Sequence, residues 1–424
     1  MPARLSPDLG DPKELQRLFD GLDGEPAIGL AVSGGADSLA LMLLAQRWAA
    51  GLKASPRFHV YSVDHGIRPE AAGEVAIVMG VAEQLGLRAT GLTWTAPKPR
   101  SGLQEAARVA RYRLIGAAMA QDGVSVLLTA HHRTDQAETV LMRLAHGSGI
   151  EGLRGITPVA MVEGVRVHRP LLDVDPASLR ALVAEAGLTP VSDPSNNDPH
   201  YERVRWRQAM PRLSELGLDP ATIATFASRM AEADEAIAQM ADACFSELVR
   251  LDGFGAARLE QAAFVGLPAA VSTRLLGRVL NIVGGRQKPR ALGQVERLRE
   301  DLVNGTIVKG STVLGCVVRT KGDAVVVARE PGRAVPPDTI LVPRGELVWD
   351  ERFLITNGSD ETGLTASVTD YLPRHRLEDF LGFKVTAPVE AIRTAPIVRD
   401  PQGDVLSLGG WSFDERIKVQ LLID

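Results

Sequence analysis

Ser33, Gly34, Gly35, Ala36, Asp37 and Ser38 stand between an apolar β-rich run, AIGLAV at 27–32, and an apolar helical run, LALMLLAQRWA. A glycine-rich turn between a strand and a helix start aims backbone N–H groups and the positive end of the helix dipole at one point, which suits phosphate. The hydroxyls of Ser33 and Ser38 add donors. The Lys-Ser/Thr ending of a kinase-type P-loop is missing, so γ-phosphoryl transfer loses its main marker. Asp37 is the odd member, because a carboxylate beside a triphosphate repels it unless a divalent cation bridges the two. Magnesium is therefore expected, with Asp37 as its ligand.

Further candidates follow the other β-rich runs. Asp64 comes after FHVYSV at 58–63, where it could accept from an adenine amine or a ribose hydroxyl, or serve as a turn residue. His131 and His132 follow VSVLLTA at 124–130; one of them could steady an α-phosphate or a leaving group, with a structural role as the alternative. Asp135 and Glu138 are three apart at a helix start and project from one face, a geometry that can grip an ammonium group. The ordinary account of such acids is the helix dipole. Arg108 and Arg111 also share a helical face and suit phosphate or an adenylate oxygen, against surface ion pairs as the plainer reading. Arg203, Arg205 and Arg207 alternate with Val204 and Trp206, so an extended segment would line the arginines along phosphates while Trp206 packs or stacks on a base.

These residues need a scaffold. The β-rich runs, with LRATGLTW at 87–94 among them, alternate with helical stretches at 38–50, 70–85, 103–120 and 135–146, which predicts an α/β fold with a doubly wound, mostly parallel sheet. VAMVEGVRVHRP at 159–170 predicts a hairpin turning at Glu163 and Gly164. The turn-rich DPSNNDP at 193–199 precedes an expected boundary near 212. Asp219 and Pro220 form a cap and first turn for one long helix, and residues 271–300 predict more helix, with Arg286, Lys288, Arg290, Arg297 and Arg299 as a cationic face toward phosphates or solvent. Valine-rich runs after 305 predict strands. The expected division is an adenylation domain at 1–212, a helical domain at 213–305 and a smaller α+β domain at 306–424.

The chain has 424 residues, 45% of them hydrophobic, and a formal charge of −5, which argues against a general polyanion binder and confines nucleic acid to local patches. Cys244 and Cys316 are the two cysteines, too few for a disulfide scaffold, a zinc ribbon or a CxxC pair. No run approaches 18 apolar residues, so a soluble cytoplasmic protein is expected.

SGGADS resembles the SGGxDS pyrophosphate-loop signature of the adenylating ATP pyrophosphatases. VDHGIRPEAAGE at 63–74, LQEAARVARY at 103–112, HHRTDQAETVLMRLAHGSGIEGLRGI at 131–156, RPLL at 169–172 and DPSNNDPHYERVRWR at 193–207 are similar, in order and spacing, to the tRNA(Ile)-lysidine synthases. The resemblance spans roughly residues 27–212. It implies an adenine nucleotide α-hydrolase-like fold and ATP, with Mg2+, at residues 33–38 and Asp64. It also implies catalytic parts for Asp37, His131 and Arg111. L-lysine would be held by Asp135 and Glu138, and Arg108, Arg203 and Arg205 would face the tRNA substrate. The implied partner is tRNA(Ile) with a CAU anticodon, a homodimer is one option for the assembly, and the products are lysidine, AMP and pyrophosphate. Thr134, His146 and Val204 depart from the family pattern. A thiolase of the same superfamily is the alternative, against which the lack of cysteine pairs counts.

Overall fold

The computed structural model describes residues 7–423 except 100, 192–197, 286–291, 308–309, 333–335 and 370–371. The chain divides into two compact units, Met1–Asp234 and Glu235–Asp424.

In the first unit the elements run α1 (Pro12–Leu18), β1 (Ala27–Ala31), α2 (Ala36–Ala50), β2 (Arg57–Asp64), α3 (Ala71–Gln84), β3 (Arg88–Thr93), α4 (Leu103–Asp122), β4 (Val126–Leu128), α5 (Arg133–Ala145), α6 (Ile150–Leu153), β5 (Val159–Val162), β6 (Val165–His168), α7 (Pro176–Glu185), α8 (Glu202–Glu215) and α9 (Pro220–Leu248), the last continuing past residue 234. The sheet order is β3-β2-β1-β4-β6-β5. All neighbours are parallel except β5 and β6. From β1 the chain builds outward through β2 and β3, then returns to lay β4 on the other side of β1. That reversal opens a crevice at the carboxyl ends of β1 and β4, the position where open α/β sheets bind ligands.

Side chains that alternate along the strands fill both faces. Ile28, Leu30, Val126 and Leu128 join one core with Leu39, Met42 and Leu179, while Leu127, Val165 and Val167 join Tyr112, Ile115 and Met119 in the other. Helices therefore cover the sheet on two sides, as the period-2 runs predict. The hairpin forms as expected: Glu163 and Gly164 have φ of 48° and 79°, the paired left-handed conformation of a tight two-residue turn. At the start of α9 the Asp219 carboxylate accepts from Thr222 N at 2.7 Å, the cap expected ahead of Pro220.

Residues 203–207 differ from their extended reading. They lie in helix α8, which packs Met210 and Trp206 against Ala137, Val140 and Leu141 of α5. Helical geometry puts Arg203 and Arg207 on one face and sends Arg205 to another.

The second unit begins with the rest of α9, then β7 (Arg250–Leu251), β8 (Ala257–Glu260), α10 (Gln261–Val265), α11 (Ala269–Gly284), α12 (Leu292–Val303), β9 (Ser311–Val313), β10 (Cys316–Lys321) and β11 (Ala324–Arg329). Their sheet, β7-β8-β11-β10-β9, joins strands from either side of residue 305 around one core. There follow β12 (Thr339–Ile340), β13 (Glu346–Trp349), β14 (Phe353–Asn357), β15 (Thr365–Val368), α13 (Arg374–Leu381), α14 (Val389–Thr394), β16 (Pro396–Arg399), β17 (Val405–Leu408), β18 (Trp411–Ser412) and β19 (Ile417–Leu421), making one five-stranded and one three-stranded antiparallel sheet. The region after 305 is thus rich in strands, as its valines predict. Arg286, Lys288 and Arg290 of the expected cationic face, and most of the 193–199 turn, lie outside the described residues.

Candidate functional site

The loop after β1 is built around Gly34. Its φ is +86°, and a Cβ there would sit 2.9 Å from Val191 Cγ2 and 3.2 Å from Val78 Cγ2. Val191 N donates to Gly34 O at 2.9 Å, which clamps the turn from the far side. Gly35 is the N-cap of α2 and provides no side-chain cap. Ser38 N and Leu39 N both donate to Gly35 O at 3.1 Å, so the start of α2 is closed by backbone alone and no side chain caps it, which leaves it open to an anion. Ser38 is buried; its Oγ donates to Gly35 O at 2.9 Å and accepts from Ser33 N at 3.3 Å. It braces the loop from inside, whereas Ser33 is exposed.

Asp37, in the first turn of α2, points across the crevice. Its Oδ2 is 3.4 Å from Nε2 of His132, and the same nitrogen is 3.5 Å from Asp135 Oδ2. His132 is the N-cap of α5: its Nδ1 accepts weakly from Asp135 N at 3.4 Å, while Asp135 Oδ2 accepts from His132 N at 3.0 Å. This reciprocal capping box leaves the imidazole proton on Nε2, between the two carboxylates. Burial opposes a charge on His132, but Asp37 and Asp135 outweigh it and hold its pKa above the ordinary value. Burial likewise opposes ionisation of Asp135, and His132 and His131 outweigh it, keeping the carboxyl below its usual range.

His131 has the opposite setting. Its Nδ1 is 2.9 Å from Thr129 Oγ1. Desolvation pushes its pKa down to about 4, with Arg169, Arg203 and Arg111 adding to the fall and Asp135 resisting. It is a neutral imidazole at neutral pH. Arg111 keeps contact with solvent, yet enclosing protein depresses its ionisation. A group both wetted and crowded lines a cleft. Arg111 and Arg108 lie 5.9 and 5.5 Å from the Tyr112 ring centre, and Arg108 reaches only a loose 3.7 Å contact with Glu105.

Glu138 is fully buried, and both of its oxygens are engaged by Arg207, at 2.7 and 3.2 Å, with Arg203 Nε at 3.5 Å. Burial raises its pKa and the Arg207 contact pulls it back. Its first role in the fold is thus to hold two arginines of α8, a partnership across 69 residues that helix periodicity alone does not reveal. Arg205 turns away and donates to Pro199 O and His200 O. Asp64 ends β2 in a turn, accepting from Gly66 N at 2.7 Å.

The fold thus gathers Asp37, His131, Asp135, Glu138, Arg111 and Arg203 with the 33–38 loop, leaves Arg108 at the rim and Asp64 in its turn, and sets Arg205 apart. Sequence reasoning named His132 and Arg207 as candidates but not the carboxylates they engage, Asp37 and Asp135 for the one and Glu138 for the other. An acid three residues after the second histidine is the signal for the first, and a helical reading of 202–208 would have found the second. A groove of about 720 Å3 lies elsewhere, lined by Ala76, Met79, Gly80 and Glu83 on the face of α3 opposite Val78.

A PP-loop domain family model matches residues 9–213. The chain is 44% identical over 331 residues to the tRNA(Ile)-lysidine synthase of Rhodopseudomonas palustris, covering 76% of this chain and 95% of that protein. It is 42% identical over 339 residues to the enzyme of the same name from Bradyrhizobium sp., covering 76% and 94%. Among solved structures, the U34-tRNA thiolase NcsA from Methanococcus maripaludis is 16% identical with a TM-score of 0.44, over 52% of this chain and 78% of that one.

Proposed function

The chain belongs to the tRNA(Ile)-lysidine synthase family, and on that premise we propose how its crevice joins L-lysine to the cytidine at the first position of the CAU anticodon of tRNA(Ile). The enzyme is an ATP-dependent ligase. The C2 carbonyl oxygen of the cytidine attacks the α-phosphorus of ATP, and pyrophosphate leaves. The ε-nitrogen of lysine then attacks C2, loses a proton, and AMP departs with the former carbonyl oxygen.

One observation carries the assignment. His132 Nε2 lies 3.4 Å from Asp37 of the glycine-rich loop and 3.5 Å from Asp135 at the start of α5, so one imidazole links the residue we assign to the nucleotide with the one we assign to lysine. The open start of α2 takes the phosphates, with Ser33, Gly34, Gly35 and Ala36 supplying the cradle and Ser38 its brace. Arg111 faces the developing negative charge. His131, being neutral, donates or accepts a hydrogen bond beside the α-phosphate without competing for it as a charge. Asp135 offers the carboxylate for the lysine ammonium. Glu138 acts through Arg203 and Arg207, which it holds over the cleft.

Asp37 fits a magnesium ion carried mainly by the nucleotide: among the described residues no group of three or more His, Cys, Asp or Glu side chains forms a metal site, and Mg2+ commonly takes one or two carboxylates plus phosphates and waters. Bound there, the ion would neutralise phosphate charge. The thiolase reading lacks support, since Cys244 and Cys316 both belong to the core of the second unit. No described helix is long and apolar enough to cross a membrane, which agrees with the cytoplasmic site we propose.

Incubation with ATP, radiolabelled lysine and a CAU-bearing tRNA(Ile) transcript should give labelled tRNA and AMP in equal amounts. Absence of label, beside an active control enzyme, overturns the reading.

A further inference from the structure

Arg169 is the least explained charge in the crevice. It follows β6 directly, and Thr129 N donates to His168 O at 3.1 Å, so it stands at the carboxyl edge beside the strand that leads to His131. Its side chain is buried, with 6% of the residue's surface exposed. One guanidinium nitrogen, Nη1, donates to Thr157 O at 2.7 Å, and Nε is sealed from solvent with no partner. The Tyr112 phenol lies alongside. Among the described residues no carboxylate comes within ion-pair distance; burial depresses its ionisation most, the Tyr112 phenol opposes that, and the cation Arg108 adds to it.

Burying an ion without a counter-ion costs several kcal/mol even after relaxation. A fold keeps such a group where something else supplies the opposite charge. Arg108 and Arg111 lie 5.5 and 5.9 Å from the centre of the same Tyr112 ring that Arg169 adjoins, and the one carboxylate near Arg108, Glu105, is a loose 3.7 Å away. Planar forks of this kind match phosphate oxygens. We propose that Arg169, together with Arg108 and Arg111, forms a seat for a phosphate group carried by a substrate, and that this anion supplies the counter-charge the protein omits. The inference deepens the function proposed above and rests on it only for the choice of phosphate. The adenylate α-phosphate and an RNA phosphodiester beside the modified cytidine share the required chemistry.

The test uses the full chain as wild type, Arg169→Met and Arg169→Lys, with AMP and a CAU-bearing anticodon-stem RNA hairpin as separate probes, each followed by thermal shift and equilibrium binding. A seat predicts that Arg169→Met melts at or above the wild-type temperature without ligand, while at least one probe binds tenfold or more weakly. Loss confined to AMP assigns the adenylate phosphate, and loss confined to the hairpin assigns the diester. A lower melting temperature with both affinities within twofold of wild type makes Arg169 a structural cation and overturns the proposal. Should the Met variant fail to fold, Arg169→Lys decides: weaker binding at an unchanged melting temperature supports the seat, and unchanged binding rejects it. Intact AMP binding without lysine incorporation would count against the ligase reading and not against the seat.

Discussion

Two buried arginines, one in each unit, separate structural from functional charge. Arg352 is fully buried; its Nε donates to Asp350 at 2.9 Å and its Nη2 to Thr394 O at 2.5 Å. Asp350 also receives Arg329 through two contacts of 3.0 Å. Arg169 is almost as buried but has no carboxylate partner among the described residues. Each has a buried nitrogen with no partner among the described residues, Nη1 in Arg352 and Nε in Arg169. An orphaned nitrogen therefore does not distinguish them. The counter-ion does: the second unit answers its charge within the fold, and the crevice of the first leaves its charge for a ligand.

The sharpest break in the comparison comes from Asp37. Its side chain is 40% exposed and its partner His132 has a second carboxylate in Asp135, so Asp37→Asn should leave stability within about 0.5 kcal/mol. AMP release should nevertheless fall about 1,000-fold, roughly 4 kcal/mol of transition-state stabilisation. A large loss of stability in urea unfolding would move Asp37 to the structural class. Arg352→Met should behave in the reverse sense. Asp350 keeps Arg329, so the loss is expected at about 2–3 kcal/mol rather than the full cost of breaking a buried pair. Turnover per folded molecule should be unchanged; if Arg352→Met proves as stable as Arg169→Met, the counter-ion distinction fails.

Glu138 is the intermediate case, a site residue whose charge is already answered. Glu138→Gln removes a buried acceptor from two arginines whose own side chains are each 43% exposed. Water can re-solvate those arginines, which limits the expected loss to about 1–2 kcal/mol. Because Arg203 and Arg207 lose their anchor, the KM for lysine should rise about tenfold while ATP binding holds. An unchanged lysine KM with the same stability loss would leave Glu138 purely structural.

What the sequence made legible was mostly local. The alternating runs predicted β1 to β4, the Glu163 and Gly164 turn, and the loop between β1 and α2, because each rests on periodicity or turn chemistry within a few residues. Asp37 and His131 were legible by position alone, at the ends of neighbouring strands. The partnership of Glu138 with Arg207 was not, since it depends on α8 packing against α5. Alternating arginines at 203, 205 and 207 suggested an extended segment, but Val204, Trp206 and Met210 find their apolar surface as a helix. RPLL was visible as a motif. That Arg169 has no counter-ion among the described residues was visible only once Thr157, Tyr112 and Arg108 were assembled around it.

The smallest effect is also the most site-specific. Desolvation and three arginines set the His131 pKa at about 4, below the ordinary 6.5 or so. Between these values the unfolded chain takes a proton that folded His131 refuses. Its contribution to stability is therefore complete above about pH 6.5 and is lost as pH falls toward 4. His132 runs the other way: its raised pKa gives stability that is present below the ordinary value and fades as pH climbs through the folded one. In a melting curve the two act on opposite sides of about pH 6.5, where other groups titrate as well, so the proper measurement is imidazole NMR of each ring. His131 should stay neutral at pH 5 and His132 charged. An anion in the crevice would offset the arginine field, so saturating pyrophosphate should move the His131 midpoint upward, and Arg169→Met should move it upward without any anion. If neither does, the arginines do not act on His131, and the unanswered charge that separates the crevice from the Arg352 cluster is screened by water.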